Sequence, residues 1–337
     1  MTSASSSAPP DAVRSQAIAA RTLRTHRLIL SARQFGTMIG LVVLCAVLWI
    51  LTPHFLTVSN LLNVAEQTSI NAVVAVGMTF VILSGGIDLS VGSIVALAGV
   101  VLGTALQGGQ PLYVAVPLAL AAGLACGLAN GALISWGGLP PFIVTLGTMS
   151  IARGAALLFT EGRPVSGFDP SFRVIATGRL GFIPAPVIVM ALVYVVANFV
   201  LARTTFGRYV YAIGGNEEAT RLSGVAVRFH KTMIYGVSGL MSAVAAVVLT
   251  ARLNSAQPIA GMMYELDAIA ATVIGGTSLM GGDGTLGGTL VGALIMGVLR
   301  NGLNLLGVSS FLQQIVIGGV IVVAVLLDTM LKRKNRT

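Results

Sequence analysis

The sequence predicts an all-α, polytopic membrane protein with about ten transmembrane helices and both termini in the cytoplasm. Hydrophobic residues make up 55% of the 337 positions and charged residues only 9%, whereas a soluble domain carries about 25% charged residues. The mean hydropathy is +0.91. The apolar runs are continuous rather than alternating, which favours helices over a β-barrel in lipid. The basic residues cluster between these runs.

A helix needs about 20 mostly apolar residues to cross the hydrocarbon core of a bilayer. Ten runs approach this length, and they predict spans at residues 36–52, 67–84, 91–107, 112–136, 141–160, 186–202, 232–251, 266–281, 285–306 and 311–331. The eighth run is short, and only glycine-rich turns divide residues 67–107 and residues 266–306. Re-entrant segments at these two places are therefore an alternative to complete spans.

The positive charges predict the orientation, because Lys and Arg concentrate in short cytoplasmic segments. With the N-terminus inside, fourteen of the 20 basic residues fall on the cytoplasmic side and four on the outer side, while Arg153 and Arg300 lie within spans. The chain then divides into a polar, disordered cytoplasmic tail (1–35), a transmembrane domain (36–331) and a basic cytoplasmic tail (332–337). The long apolar run after residue 35 lacks a cleavage site, which favours an uncleaved first span over a signal peptide.

Composition also excludes some classes of protein. The net charge of +9 is split between separate clusters and does not line one helix or face as a nucleic-acid site would. Cys45 and Cys126 lie inside apolar runs and are predicted to be buried free thiols. Glycines spaced by four, at Gly123, Gly127 and Gly131 and again at 288 and 292, favour close packing between helices.

Two glycine-rich junctions resemble each other and are cytoplasmic in the predicted topology. Each follows an apolar run and carries one aspartate. The residues that we single out are Gly85, Gly86 and Asp88 in the first junction, and Gly281, Gly282 and Asp283 in the second. Ionisable residues close to a span are costly and often functional, although a tight connection alone would explain both turns.

The longest cytoplasmic segment, 203–231, contains a predicted short helix. Asn216 is a suitable N-cap, Glu217 and Glu218 suit the positive N-terminal end of a helix, and Gly224 can end it. The alternative is a solvated basic linker that binds acidic lipid headgroups.

Several blocks of the chain resemble the permeases of the ribose, xylose, arabinose and galactoside ABC importer family, with the ribose-permease branch nearest. The matching runs are GGNEEATRLSGV (214–225), GMTFVILSGGIDLSVGS (77–93), ARLNSAQPIAGMMYELDAIAATVIGGTSLMGG (251–282) and GLNLLGVSSF (302–311). The similarity covers about residues 36–331. Glu218, Ala219, Thr220 and Gly224 match a degenerate form of the importers' Glu-Ala-Ala…Gly signature, with Thr220 in place of the second alanine.

The resemblance implies a bacterial inner-membrane permease that forms a path for ribose or a related monosaccharide by alternating access. It implies a second permease copy, cytoplasmic ATP-binding subunits and a periplasmic sugar-binding protein. The coupling segment to the ATPase would include Asn216, Glu217, Glu218, Ala219, Thr220, Arg221 and Gly224. The sequence has no G-x-x-x-x-G-K-[ST] phosphate-binding loop, so we expect ATP and Mg²⁺ on the partner and no catalysis, cofactor or metal on this chain.

Polar residues within the spans are candidates for the sugar path, because a neutral sugar is recognised by hydrogen-bonding groups. Asn71, Asn130, Asn301 and Asn304 are the main candidates, and for each an interhelical hydrogen bond is the alternative. The outer loops 161–185 and 252–265 are candidate docking surfaces for the binding protein. The sequence does not determine which sugar is carried.

Two other classes of function agree less well with the sequence. An ion-coupled secondary transporter of a small polar solute would place carboxylates in mid-span and commonly carries inverted repeats, whereas here the acidic residues fall at span ends or in loops. A membrane enzyme is disfavoured, because the sequence contains neither an H-E-x-x-H motif nor a G-x-S-x-G turn.

Overall fold

The computed structural model describes residues 36–334, and this part of the chain is mostly helical. The predicted N-terminal tail (1–35) and residues 335–337 of the predicted basic tail lie outside the described residues. The helices are α1 (Gly36–Leu51), α2 (Val58–Leu83), α3 (Val91–Gln107), α4 (Leu112–Ser135), α5 (Pro141–Thr160), α6 (Pro170–Thr177), α7 (Ala185–Arg203), α8 (Thr205–Gly215), α9 (Glu217–Leu222), α10 (Val227–Leu253), α11 (Tyr264–Ile274), α12 (Leu286–Leu305) and α13 (Ser310–Lys334).

Each of the ten predicted runs contains a helix, but only some of these helices have the length and composition of a membrane span. Six do so within residues 36–334, namely α2, α4, α5, α7, α10 and α12. Three further apolar helices are shorter: α1, α3 and the Ser310–Leu326 part of α13. Helix α2 begins nine residues earlier than predicted, because Thr57 caps it by accepting a hydrogen bond from the backbone N–H of Asn60.

The prediction of one helix over residues 266–281 is wrong. Helix α11 has 11 residues and ends at Ile274, so it extends about 17 Å, roughly half of a 30 Å hydrocarbon core. The chain leaves the helix because Gly276, two residues after Ile274, adopts a φ value of +91°, which ends an α-helix. The apolar residues of 275–281 therefore belong to a partly buried junction made of turns.

The centre of the molecule is formed by α2 and α10, the most buried of the long helices. Helix α10 packs along α4 through the predicted glycine series. A Cβ atom on Gly127 would stand 2.2 Å from the carbonyl oxygen of Tyr235, and one on Gly123 would stand 2.5 Å from that of Gly239. Gly131 approaches α10 as closely. The predicted role of these glycines in helix packing is confirmed.

Helices α11 and α12 approach each other in the same way. A Cβ atom on Gly288 would lie 2.0 Å from the carbonyl oxygen of Gly275, and one on Gly292 would lie 1.9 Å from that of Ala271. The short α11 is therefore held against α12 along backbone-to-backbone contacts.

In the part of the chain that the structure describes, four two-residue strands lie in the loops 161–185 and 252–265. Strand β1 (Val165–Ser166) pairs antiparallel with β4 (Ser255–Ala256), and β2 (Arg179–Leu180) pairs antiparallel with β3 (Ile183–Pro184). The β1–β4 pair joins loop 161–185 to loop 252–265, so the two predicted docking loops form one surface.

Candidate functional site

The predicted short helix in segment 203–231 is α9, and its ends agree with the sequence. Asn216 is the N-cap, and its side-chain oxygen accepts a hydrogen bond of 2.9 Å from the backbone N–H of Ala219. The helix ends at Leu222, and Gly224 follows with φ +84°. The predicted cap and stop are confirmed, and both stabilise a helix of only six residues.

Charged and apolar side chains project from α9 into solvent. The guanidinium of Arg221 binds the carboxylate of Glu218 at 2.5 Å, and both side chains are more than half exposed. This hydrogen bond from Arg221 holds the pKa of the Glu218 carboxyl below its ordinary value. The Leu222 side chain beside them is 74% exposed. An exposed leucine next to an ordered charge pair suits a docking surface.

Two contacts fix α9 to the helices before and after it. The Thr220 hydroxyl is buried and donates to the carbonyl oxygens of Ala212, at 2.9 Å, and Asn216, at 2.7 Å. The Ala212 contact ties α9 to the end of α8. The carboxylate of Glu217 pairs with Lys231 of α10 at 2.9 Å. The threonine that departs from the family signature thus supplies a hydrogen bond that alanine would lack.

Helix α8 lies directly against both glycine-rich junctions. A Cβ atom on Gly214 would stand 1.8 Å from the carbonyl oxygen of Leu83 and 2.6 Å from the backbone nitrogen of Gly282. The N–H of Gly282 donates to the same Leu83 oxygen at 2.9 Å. The Tyr211 hydroxyl donates to the carbonyl oxygen of Gly284 at 2.9 Å, and burial raises the pKa of this phenol to about 12.

The two junctions also touch each other. A Cβ atom on Gly281 would lie 2.9 Å from the backbone nitrogen of Gly85, and one on Gly86 would lie 2.3 Å from the hydroxyl oxygen of Tyr235. The Asp283 side chain is partly buried beside them. The structure therefore assembles α8, α9 and both junctions into one unit.

Asp88 is the buried end of the first junction, and its side chain has no exposed surface. The carboxyl accepts hydrogen bonds from the backbone N–H and hydroxyl of Ser90, at 2.9 and 2.6 Å, and from the hydroxyl of Ser238, at 2.7 Å. Asn130 donates to the Ser90 hydroxyl at 2.9 Å and accepts from Thr148. These five residues, the Asp88 network, join the junction to α4, α5 and α10.

The Asp88 network lies deeper than the tight cytoplasmic turn that the sequence predicted. Ser238 lies eleven residues after the first residue of α10, about 17 Å along that helix. The junction therefore enters the helix bundle. Asp88 and Asn130 were predicted from the sequence, whereas Ser238 and Thr148 were not, because single hydroxyl residues in apolar runs carry no distinguishing pattern.

Two of the four candidate path residues, Asn301 and Asn304, lie near the end of α12. Asn301 is buried and exchanges two hydrogen bonds with Asn60, at 2.9 and 3.0 Å. Asn304 is exposed, and its side-chain oxygen accepts from Gln313 at 2.8 Å. Asn130, in the Asp88 network, is fully buried. A role for these three in the sugar path stays a prediction.

Asn71 belongs to a second polar group, which also contains Arg300 and Asp267. The sequence did not identify the partners of Arg300 and Arg153, the two arginines within spans. Arg300 of α12 pairs with the buried Asp267 of α11 at 2.7 Å, and the Asn71 amide donates to Asp267 at 3.3 Å. Arg153 instead donates to two backbone carbonyl oxygens of the loop before α11 (258–260), at 2.8 and 2.7 Å. Charged residues within spans pair with one another or with backbone carbonyl oxygens, and Asp267 is the carboxylate within the eighth predicted run.

The sequence comparisons place the chain in a transporter family. Residues 60–325 match the family described as the permease component of the branched-chain amino acid transport system. The chain belongs to this family. Its members are transport components. Because residues 36–334 include six helices long and apolar enough to cross a membrane, the chain is a multi-pass protein of the bacterial inner membrane.

Several characterised relatives are similar over most of their length. The ribose import permease protein of Haemophilus influenzae is 47% identical over 92% of this chain and 96% of its own length. The ribose import permease protein of Bacillus subtilis is 50% identical over 88% of this chain and 92% of its own length. The D-allose transport system permease protein of Escherichia coli is 40% identical over 89% of this chain and 93% of its own length. No solved structure matches the chain.

Proposed function

We propose that this chain is the permease subunit of an ATP-driven importer of ribose or a related monosaccharide. The observation that carries the proposal is the unit formed by α9, α8 and the two junctions. It presents an exposed, capped helix at one end and reaches the buried Asp88 network at the other. A separate ATPase would bind the exposed end, and transport would follow from movement of the helices that the network joins.

Sugar is the substrate class that the curated relatives support. The family description names branched-chain amino acids, but the similar relatives are named for ribose, D-allose, galactose and L-arabinose. These matches extend over nearly the whole chain at 38–50% identity, so they are the more specific guide. The ribose permeases show the highest identity among them.

The mechanism that we propose is alternating access driven from α9. An ATPase dimer performs work on the permease only if it binds the inward-open and outward-open states with different free energies. Because Thr220 and Glu217 fix α9 to α8 and α10, a displacement of α9 would move α8 as well. Gly214 would pass that displacement to both junctions, and the Asp88 network would pass it to α4, α5 and α10.

Several further expectations from the sequence belong to this proposal. We propose ten membrane crossings with both termini in the cytoplasm, the eighth crossing being made by the short α11 together with the glycine-rich junction that follows it. We also propose two copies of the permease in the transporter, and docking of a periplasmic sugar-binding protein on the surface joined by β1 and β4. ATP and Mg²⁺ would bind to the ATPase subunits and not to this chain.

The ion-coupled alternative is not favoured. The structure buries two carboxylates, Asp88 and Asp267, which the sequence had placed at span ends. Asp267 is paired with Arg300, and Asp88 accepts three hydrogen bonds. No group of three or more potential metal ligands exists among the described residues 36–334. The curated relatives are import permeases, which argues for the ATP-driven class.

Co-purification tests the proposed class of transporter. The tagged chain is extracted in mild detergent, and the proteins that accompany it are identified by mass spectrometry. We expect an ATPase with a phosphate-binding loop. A clean single chain, reproduced with crosslinking before extraction, would contradict the proposal and favour an ion-coupled transporter.

A charge reversal then tests the coupling segment. Glu218→Arg places two cations side by side on α9, and we expect normal membrane insertion but loss of the sugar-dependent stimulation of ATP hydrolysis. Gln110→Arg is the control, because Gln110 is also exposed but lies in the loop between α3 and α4, outside the coupling segment and both proposed docking loops. Normal stimulation in the Glu218→Arg variant would remove the coupling role of α9.

A further inference from the structure

Helix α2 carries a stripe of amide side chains on one face of its first half. Asn63, Gln67 and Asn71 follow one another at intervals of four residues, which places them on the same face of the helix. Gln67 donates to Asn63 at 3.0 Å. All three side chains are partly or fully exposed, whereas the neighbouring Ser69 and Ile70 are buried. We call these three amides the α2 polar stripe.

The α2 polar stripe ends at the ion pair between Arg300 and Asp267. The Asn71 amide donates to the Asp267 carboxylate at 3.3 Å, and its own carbonyl oxygen is buried without a hydrogen-bond partner. Both hydrogen bonds from Arg300 to Asp267 come from Nη2, at 2.7 and 2.9 Å. Within residues 36–334, the Nε and Nη1 groups of Arg300 have no acceptor.

The exposure of the two charged groups is unequal. The Asp267 side chain is 3% exposed and the Arg300 side chain 37% exposed. A charged side chain within the hydrocarbon region is costly, so it faces the bundle interior or a water-filled cavity. An arginine with unused donors and about one-third of its surface uncovered therefore faces water or a polar ligand.

Two other charged groups among the helices have structural roles within this chain. Like Arg300, Arg153 donates through one nitrogen only, Nη1, but its two acceptors are backbone carbonyl oxygens, which makes it a brace for the loop before α11. Asp88 is completely buried and its acceptors are used by serine donors. The uncovered donors of Arg300 are thus a feature that packing of this chain does not explain.

We propose that the α2 polar stripe and Arg300 line the sugar path, and that Arg300 donates hydrogen bonds to the hydroxyl oxygens of the passing monosaccharide. Asp267 is a positioning residue, because it neutralises Arg300 and holds its guanidinium while remaining buried. A neutral sugar presents several hydroxyl acceptors, and a guanidinium offers paired N–H donors in a fixed plane. This inference rests on the proposed function.

Cysteine accessibility tests whether this face is open to the path. The two native cysteines are first removed by Cys45→Ala and Cys126→Ala. The Asn71→Cys and Arg300→Cys variants of this protein are then treated with a membrane-impermeant cationic thiosulfonate, with and without ribose and the binding protein. We expect both cysteines to react, and ribose to slow the reaction of Arg300→Cys at least ~10-fold. Ser69→Cys is the control on the same helix, because Ser69 is 1% exposed, and it is expected not to react. Unreactive cysteines at both positions, as burial against a second copy of the chain would produce, would overturn the inference.

A neutral double variant separates sugar contact from a merely structural ion pair. Asp267→Asn combined with Arg300→Gln removes both charges together and leaves no unpaired charge in the membrane. If Arg300 contacts the sugar, the double variant should fold and its ATP hydrolysis should still be stimulated by the binding protein, but its ribose uptake should fall at least ~10-fold. Uptake within about twofold of the wild type would show that the pair is structural.

The same experiments distinguish a failure of this inference from a failure of the proposed function. Wild-type protein that does not transport ribose would contradict the proposed function. Transport by the wild type, together with an Arg300→Cys variant that does not react with the thiosulfonate, would contradict only the placement of Arg300 in the sugar path.

Discussion

The contact of Gly214 with the two junctions leads to a sharp prediction, because the next residue provides a matched control. A Cβ atom at Gly214 would lie 1.8 Å from the Leu83 carbonyl oxygen, whereas a relaxed C···O contact needs about 3.3 Å. Helix α8 would have to retreat by about 1.5 Å, the difference between these distances. A Cβ atom at Gly215 meets nothing within 4 Å.

Gly214→Ala and Gly215→Ala should differ in their free energy of unfolding chiefly because of the contact with the Leu83 carbonyl oxygen. Gly214 and Gly215 are the last two residues of α8, so alanine gains at either position less than the gain of about 1 kcal/mol over glycine in a helix interior, and the gain is similar in the two variants. Gly214→Ala also incurs overpacking of about 1–3 kcal/mol and strains the 2.9 Å hydrogen bond from Gly282 to Leu83, which contributes about 1 kcal/mol. We expect Gly214→Ala to be less stable than Gly215→Ala by about 2–4 kcal/mol.

Two assays measure the consequence. Thermal unfolding of the detergent-solubilised protein should give a Tm several degrees lower for Gly214→Ala than for Gly215→Ala. In proteoliposomes with the ATPase and binding protein, ribose uptake per ATP hydrolysed should fall at least ~10-fold in Gly214→Ala and stay near the wild-type value in Gly215→Ala. If the two variants behave alike in both assays, α8 does not transmit force to the junctions through Gly214.

Three further variants test the parts of the same unit. Thr220→Val removes the hydroxyl that bonds to the end of α8, so it should weaken the contact between α8 and α9 by about 1 kcal/mol and lower the coupling of ATP hydrolysis to transport. Thr220→Ser keeps the hydroxyl and should retain the coupling. The measurement is the stimulated rate of ATP hydrolysis. Asn216→Ala removes the cap of α9 at a cost of about 1 kcal/mol, which should speed amide hydrogen exchange in α9, and Asn216→Asp should restore protection. Asp88→Ala leaves three donors without an acceptor and should destabilise the protein by about 3 kcal/mol or more. Asp88→Asn should cost less, because the amide still accepts from the Ser90 N–H and donates to Ser238. Equal losses of stability in the two variants would count against the network.

Local features of the fold were predictable because their causes lie within a few residues. The cap at Asn216 and the stop at Gly224 depend on side-chain and backbone preferences at single positions. The packing of Gly123, Gly127 and Gly131 depends on a repeat along one helix. The apolar runs located the long helices for the same reason, since burial in lipid requires a continuous stretch of apolar residues.

Features that depend on distant parts of the chain were not predictable. The partner of Arg300 is 33 residues away, and the Asp88 network draws Ser238 from a position 150 residues further along. Apolar composition also could not show that α11 stops at Ile274, because a buried glycine-rich junction and a helix have similar hydropathy. In these cases the tertiary contact determines the conformation.

The most direct test of the account is ribose uptake by a defined transporter. This chain is reconstituted in liposomes with its co-purified ATPase, with ATP inside and the sugar-binding protein outside, and entry of labelled ribose is followed. The account predicts uptake that requires ATP, stops with vanadate and is unchanged by a proton or sodium ionophore. Uptake that persists with vanadate and collapses with an ionophore would contradict it and establish an ion-coupled transporter.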